Sequence, residues 1–365
     1  MITSAAVKAH ALELGFDTCG VAPVGPFPEL LFLDEWLRRG YAGTMAYLGR
    51  SRAKRREVRA ADPDARSVVV TATLYNTNRP YDVDVQDPGL ARFSRYAWGD
   101  DYHVVVRQRL DALVEWMRSV ERTPFEARTY VDTGPVQERV YAQYAGLGWI
   151  GKNTCLIDPE LGSWLFLGCV ICSLPLEADA PGVDQCGECT TCLSACPTGA
   201  IVEPWVLDAT RCISYLTIEL RSEIPAELRP AMGTRVYGCD ICQHVCPWNQ
   251  RAGVSAAPEW QPRDAVDAPR LEALWRMTDR ALEAVLRGSA MERAGVVRLR
   301  RNLAIAIGNT AGALPSGLLD DLDDPDRPSL ADPVVRPHIE WARERLANAL
   351  PSGTSASGEA GMIDP

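Results

Sequence analysis

No stretch of this 365-residue chain is apolar for the length of a membrane span, so no spanning helix is expected. Residues 1–15 hold neither an apolar signal-peptide core nor paired arginines, so export is not expected either. Positive charge is scarce: 38 Lys and Arg against 48 Asp and Glu leave a net charge of −10. That argues against general affinity for nucleic acid, though not against a local basic patch. A hydrophobic content of 47% with 24% charged residues is that of a soluble globular protein long enough for two or three domains.

What the chain has in quantity is cysteine, 12 in all. In a reducing compartment, metal or catalytic roles outrank disulfides. Cys186, Cys189, Cys192 and Cys196, followed by Pro197, form the run C-x2-C-x2-C-x3-C-P. That run wraps a [4Fe–4S] cluster and sends its fourth cysteine to a second one. The second run, Cys239, Cys242, Cys246 and Pro247, lacks its first cysteine, where Val236 stands. Cys212, between the runs, can supply the missing thiolate. On the crossed pattern, cluster one takes Cys186, Cys189, Cys192 and Cys246, and cluster two takes Cys196, Cys212, Cys239 and Cys242. Structural zinc is the competing reading, but it needs neither a third cysteine at this spacing nor two Cys-Pro ends.

Residues 4–14 read as a helix capped by Thr3 or Ser4 and ended by Gly15. Cys19–Val24 reads as a strand, Leu30–Arg39 as a helix, and Ser67–Tyr75 as a buried strand. Lys54, Arg55 and Arg56 are either a solvated face or an anion contact. The aromatic segment 91–103 is either packing, with Asp100 or Asp101 as a cap, or the wall of a flat-ligand pocket. Val104–Val120 is expected as a helix and Phe125–Val131 as a strand. Asp132 follows that strand and precedes a helix at 136–145; catalytic groups often sit there, as do capping aspartates. The glycines of 146–153 permit close backbone approach to a ligand. Residues 154–157 and 163–171 suggest a hairpin around Asp158–Gly162. Cys169 and Cys172 lie three apart on one strand and so point to opposite faces; with Cys19 and Cys155 they read as buried thiols. Arg270–Leu286, Arg293–Asn309 and His338–Leu346 read as helices, the second with its arginines outside. Residues 351–365 read as a disordered tail.

Asp132-Thr-Gly-Pro135, Gly148-Trp-Ile-Gly-Lys-Asn153, Gly162-Ser-Trp-Leu-Phe-Leu-Gly168, the Cys186 run, Arg211-Cys-Ile-Ser-Tyr-Leu-Thr-Ile-Glu219 and Gly238–Asn249 together resemble the epoxyqueuosine reductase family. The resemblance covers residues 5–345. It implies an α+β chain: a mixed α/β cobalamin-binding domain at 1–178, a ferredoxin-like two-cluster domain at 179–250, and a HEAT-like helical, tRNA-contacting region at 251–350. It implies a monomeric cytoplasmic enzyme that takes single electrons from an external donor through two [4Fe–4S] clusters to base-off cobalamin, and reduces epoxyqueuosine in tRNA to queuosine. No Asp-x-His-x-x-Gly segment offers cobalt a histidine, which agrees with cobalamin lacking a protein ligand. The family's proton donor falls on Asp132, with a pKa expected to be raised by desolvation. Its cobalamin contacts fall on Arg55, Ser94, His103, Lys152, Asn153, Leu156 and Leu167, with Asp240 near the clusters. The stripe Arg293, Arg300 and Arg301 is expected to meet the tRNA backbone. A reductive dehalogenase and a plain ferredoxin-type electron carrier are the alternatives.

Overall fold

The computed structural model describes residues 2–349 except Asp82 and Ser316; the tail expected at 351–365 lies outside the described residues. The chain opens with α1 (Ser4–Glu13), which Thr3 caps by accepting from the Ala6 amide and which ends at Gly15 in a left-handed conformation. β1 (Thr18–Pro23), α2 (Pro28–Arg38), the short α3 (Ala46–Arg50) and α4 (Arg52–Arg56) lead to β2 (Ser67–Leu74). All eight residues of β2 are buried. A β-branched strand without a wet face must be central and covered on both sides.

β3 (Arg92–Phe93), α5 (Tyr102–Val120), β4 (Ala127–Tyr130), α6 (Glu138–Tyr144), β5 (Trp149–Ile150), β6 (Leu156–Ile157) and β7 (Leu165–Cys172) follow. The main sheet runs β1-β2-β7-β4, antiparallel throughout. Val7 and Ala11 of α1 and Val106, Leu110, Leu113 and Met117 of α5 cover one face. Leu30 of α2 and Val140 and Tyr141 of α6 cover the other. Cys169 joins the α6 side and Cys172 the α5 side, as their spacing predicts. Gly20 lets α6 close on the sheet, because a Cβ there would stand 2.0 Å from the Ala145 carbonyl oxygen.

The hairpin expected around Asp158 is not formed. Asp158 and Gly162 do bridge, but β6 pairs with β5 while β7 joins the central sheet. β7 finds eight paired residues on β2 and four on β4, whereas β6 offers only two. Gly146, Gly148 and Gly151 have G-x-G-x-x-G spacing, yet they lead from a helix into β5 rather than from a strand into a helix, so they build no dinucleotide cradle.

The cysteine-rich segment carries α7 (Thr191–Ala195), the pair β8 (Ile201–Glu203) and β9 (Val206–Leu207), α8 (Ile213–Ile218), β10 (Arg235–Tyr237) and α9 (Ile241–His244). β10 pairs in parallel with β3, tying this segment to the first part of the chain. Then come α10 (Leu271–Arg276) and α11 (Asp279–Leu286), where one amphipathic helix was expected. Met277 takes a strand-like conformation and Thr278 caps the second helix.

α12 (Gly295–Gly308) and α13 (Arg336–Ala349) complete the fold. α12 is no surface helix: every residue from Leu299 to Gly308 is buried. The expectation that Arg300 and Arg301 face outward is overturned, since both are 0% exposed. Arg300 donates to the carbonyls of Trp275 and Met277 and pairs with Asp279. Arg301 donates to the carbonyls of Leu216, Leu220 and Ser222. These arginines close orphan helix-end carbonyls. Among the described residues no helix is long and apolar enough to cross a membrane.

Candidate redox and acid–base site

The structure gathers the cysteines in two groups. Cys186, Cys189, Cys192 and Cys246 line one cavity of about 260 Å³, together with Ile157 and Trp248. The Trp149 indole donates to the Cys186 sulfur at 3.5 Å. The buried Lys152 ammonium donates to the carbonyls of Gly187 and Cys189 at 2.6 and 3.0 Å, fixing the loop between the first two cysteines.

The other four meet below β10. Burial raises the Cys212 thiol, as does the nearby Cys196. Burial pushes Cys239 up to about 12, with Cys212 a further contributor. Cys242 is raised by its contact with Cys155, by burial, and by Cys239 and Cys212. Val236, which stands where the run lacks a cysteine, is fully buried in the C-terminal apolar core. Cys19 and Cys155, read as buried thiols, are only half-buried, and Cys155 shares a hydrogen bond with Cys242. Bare thiols raised this far keep their protons, so a strongly cationic core is needed to ionise them. Among the described residues no three His, Cys, Asp or Glu side chains are grouped for a single metal ion. Two sets of four thiols spread around a space fit cubanes, in which each thiolate meets a different iron.

Neighbouring polar groups hold these loops. Asn153 donates to the Cys242 carbonyl at 3.2 Å. Asp240 accepts from the Ser94 hydroxyl and from the Arg95 amide. A Cβ on Gly238 would stand 2.4 Å from the Ser94 Cβ, so glycine lets the cysteine loop dock on Ser94. The segment 91–103 is mostly packing: Arg95 is buried among Tyr81, Trp98 and Trp164 and donates to the carbonyls of Thr77, Arg79 and Pro80.

Across the sheet edge lies an acid–base group. Asp132, directly after β4, has a φ of 55°. Its Oδ2 lies 3.2 Å from His103 Nε2, and His103 Nδ1 lies 2.6 Å from Asp101 Oδ1. Asp101 also caps α5 by accepting from the His103 amide. Asp132 does not cap α6; Gln137 holds that position. The expected rise of the Asp132 pKa is overturned. Burial acts to raise it, but His103, with Arg293 and Arg139 nearby, outweighs this and holds the carboxyl below its ordinary range. Its side chain is 60% exposed, so a bound partner would strengthen the burial effect.

Arg55 donates to the Ser51 hydroxyl and to the Val136 carbonyl. Leu156 and Leu167 pack on the α6 side of the sheet. Sequence reasoning passed over Glu138. Burial, then the Asp132 charge, pushes its carboxyl up to about 8, and its Oε1 is buried without a hydrogen-bond partner among the described residues. A glutamate in the first turn of a helix is ordinary, so nothing in the sequence singled it out.

The profile of the 4Fe-4S double cluster binding domain matches residues 185–249, spanning all eight cysteines. With an acid–base group on the adjoining sheet, the molecule is an iron–sulfur oxidoreductase. The profile described as epoxyqueuosine reductase QueG, DUF1730, matches residues 55–133. The chain is 40% identical over 342 residues to the epoxyqueuosine reductase of Pseudomonas aeruginosa, covering 93% of each. It is 38% identical over 337 residues to that of Escherichia coli, covering 92% of this chain and 87% of the other. The chain belongs to the epoxyqueuosine reductase family. A crystal structure of epoxyqueuosine reductase with an epoxyqueuosine-modified tRNA-Tyr stem loop superposes with a TM-score of 0.79 at 32% identity, covering 96% of this chain and 94% of that one. A Bacillus subtilis epoxyqueuosine reductase with an aspartate-bearing catalytic loop swung out of its active site gives 0.77 at 31%, covering 96% and 94%.

Proposed function

We propose that this chain reduces epoxyqueuosine in tRNA to queuosine. The observation that carries the reading is one chain joining two four-thiol groups to a solvent-reached Asp132–His103 pair, similar over nearly its whole length to a reductase with a tRNA stem loop. The reaction takes an epoxide, two electrons and two protons to an alkene and water. An external one-electron donor supplies the electrons one at a time. Cys186, Cys189, Cys192 and Cys246 hold one cluster, and Cys196, Cys212, Cys239 and Cys242 the other.

The family resemblance implies cobalamin, and the residues fit a corrinoid whose cobalt takes no protein ligand. Every histidine ring already has protein partners: His10 with Glu13 and Trp116, His103 with two aspartates, His244 between Tyr81 and Trp164, His338 with Ile224 and Val334. Arg55, Ser94, His103, Lys152, Asn153, Leu156, Leu167 and Asp240 would border it. Bound there, it would supply a low-potential metal centre able to open the epoxide. The protein's part is to orient the substrate and deliver protons. His103 bridges Asp101 and Asp132, 2.6 and 3.2 Å from its two ring nitrogens. The hydrogen-bonded Asp132–His103 pair passes a proton to the oxygen released from the ring. Exposed Arg293, with Arg139 beside it, gives this mouth the local positive charge that a tRNA backbone needs in an acidic protein. The helices from α10 onward form the HEAT-like region, and the enzyme works as a monomer in the cytoplasm.

Nucleosides of tRNA from cells lacking the protein test the reading. Epoxyqueuosine should accumulate and queuosine disappear, and the purified, anaerobically reconstituted enzyme should restore queuosine. Normal queuosine in those cells, with no alternative reductase present, would exclude it.

A further inference from the structure

Reducing a [4Fe–4S] cluster adds one unit of negative charge to a group already made anionic by its four thiolates. The electron comes from the external donor and brings no proton with it. What surrounds the sulfurs therefore decides how readily the cluster accepts it. An apolar, low-dielectric wall disfavours the added charge, and an N–H aimed at a ligand sulfur favours it.

Trp149 supplies both at the first group of cysteines. It is 1% exposed and packs with Ile157, Cys246, Cys186 and Trp248 in one apolar cluster. Its ring meets the Trp248 ring edge-on, with centroids 4.9 Å apart. From inside that wall the indole N–H donates to the Cys186 sulfur at 3.5 Å. The Thr191 and Thr198 hydroxyls also lie near cysteine sulfurs, but each stands two residues from the cysteine it meets, within the cysteine loops themselves. Trp149 lies 37 residues before Cys186, so the fold has to carry it there.

The fold does so with several ties. β5 pairs with β6 through Trp149 and Ile157. A Cβ on Gly148 would stand 2.0 Å from the Ile157 carbonyl oxygen, so glycine lets the two strands close. The Ile150 amide donates to Gln143 Oε1 at 2.9 Å, and the Ile150 carbonyl accepts from the Trp205 indole at 3.1 Å. Lys152, in the same turn, holds the carbonyls of Gly187 and Cys189, which fixes the loop that Cys186 begins. Donor strand and acceptor loop are thereby locked to each other.

We propose that the Trp149 N–H is a redox-tuning hydrogen bond: it stabilises the reduced form of the cluster held by Cys186, Cys189, Cys192 and Cys246, and so raises its potential inside a wall that alone would depress it. A given donor then loads more of that cluster. Trp149 acts through Cys186 and is a positioning residue. The inference rests on the two-cluster reading of these cysteines.

Trp149→Phe keeps an aromatic ring in the wall and removes the N–H. The full chain, anaerobically reconstituted, is poised at a series of potentials and read by EPR. The variant should keep wild-type iron and sulfide. One of its two one-electron steps should fall by roughly tenfold in the reduction equilibrium, about 59 mV for one electron, while the other stays in place. Pulsed EPR of reduced wild-type protein carrying nitrogen-15 in its indoles should show a nitrogen coupling to the cluster that Trp149→Phe removes. Should the variant lose iron, the wild-type coupling alone decides. Two unmoved steps, two steps lowered equally, or a wild-type cluster without indole coupling overturns the inference and leaves both ligand sets and the activity standing. Wild-type protein that cannot be loaded with two clusters overturns the ligand assignment, and the inference with it.

Discussion

Asp132 sits in a left-handed backbone conformation that aspartate and asparagine tolerate better than most residues. Asp132→Asn should therefore fold normally and keep both clusters while losing the carboxyl. Turnover should fall roughly 10²–10⁴-fold under saturating reductant, read by product nucleoside; near-normal turnover would remove Asp132 from the chemistry. Cys212→Ala should leave about four of about eight irons per chain, read by iron and sulfide assay after anaerobic reconstitution. Wild-type iron content would break the ligand assignment. The double-cluster domain was legible from cysteine spacing, because coordination geometry is written largely in local sequence. Asp132 was legible as a position but not as a titrating group, since its proton affinity depends on His103, 29 residues away. That the Lys152 ammonium also ties down two carbonyls of the cluster loop was not legible, since those partners lie about 35 residues away.

The elements show where periodicity misleads. α12 carries a stripe of arginines, and charged side chains at helical spacing mostly face water. Here Arg300 and Arg301 reach carbonyls about 25 and 80 residues away, partners that no local pattern reveals. Arg301 is buried with no carboxylate paired to it among the described residues, and burial holds its guanidinium down to about 9. Arg301→Ala should cost about 3 kcal/mol or more, since three buried carbonyls lose their donor at roughly 1 kcal/mol or more each. A urea midpoint within error of wild type would contradict this. Any loss of tRNA binding in that variant would follow from unfolding. Arg293, exposed and beside Asp132, is the better test of phosphate contact. Arg293→Ala should lower the slope of log affinity against log salt by about one without moving the melting temperature. An unchanged slope would place the tRNA backbone elsewhere. The central strand β2 was legible because burial on both faces leaves a continuous apolar run. The partner of β7 was not, because strand pairing is settled by burial across the whole sheet.

Over the whole molecule, acid should loosen the C-terminal half first. His338 is fully buried; its ring accepts from the Ile224 amide and lies 2.8 Å from the Val334 carbonyl. Burial, helped by Arg229, lowers its pKa from 6.5 to about 3. The unfolded chain therefore binds a proton below about 6.5 that the fold refuses until about 3. Stability contributed by the neutral ring is present above 6.5 and lost as pH falls through that window, by up to about 1.4 kcal/mol per pH unit. Denaturant midpoints should show His338→Gln losing less stability than wild type between pH 7 and 5; parallel loss in both would refute this. The same half of the molecule bears on how the enzyme is made. Arg301 and Asn302 hold the carbonyls of Leu216, Thr217 and Val236, which flank Cys212 and Cys239. All eight cysteines leave the ribosome before α12 does. Until α12 follows, the segment bearing Cys212 has no donors for its helix end. Iron–sulfur insertion around Cys212 and Cys239 is then expected to follow synthesis of the C-terminal helices, and a chain released before residue 300 should carry less iron than the full chain.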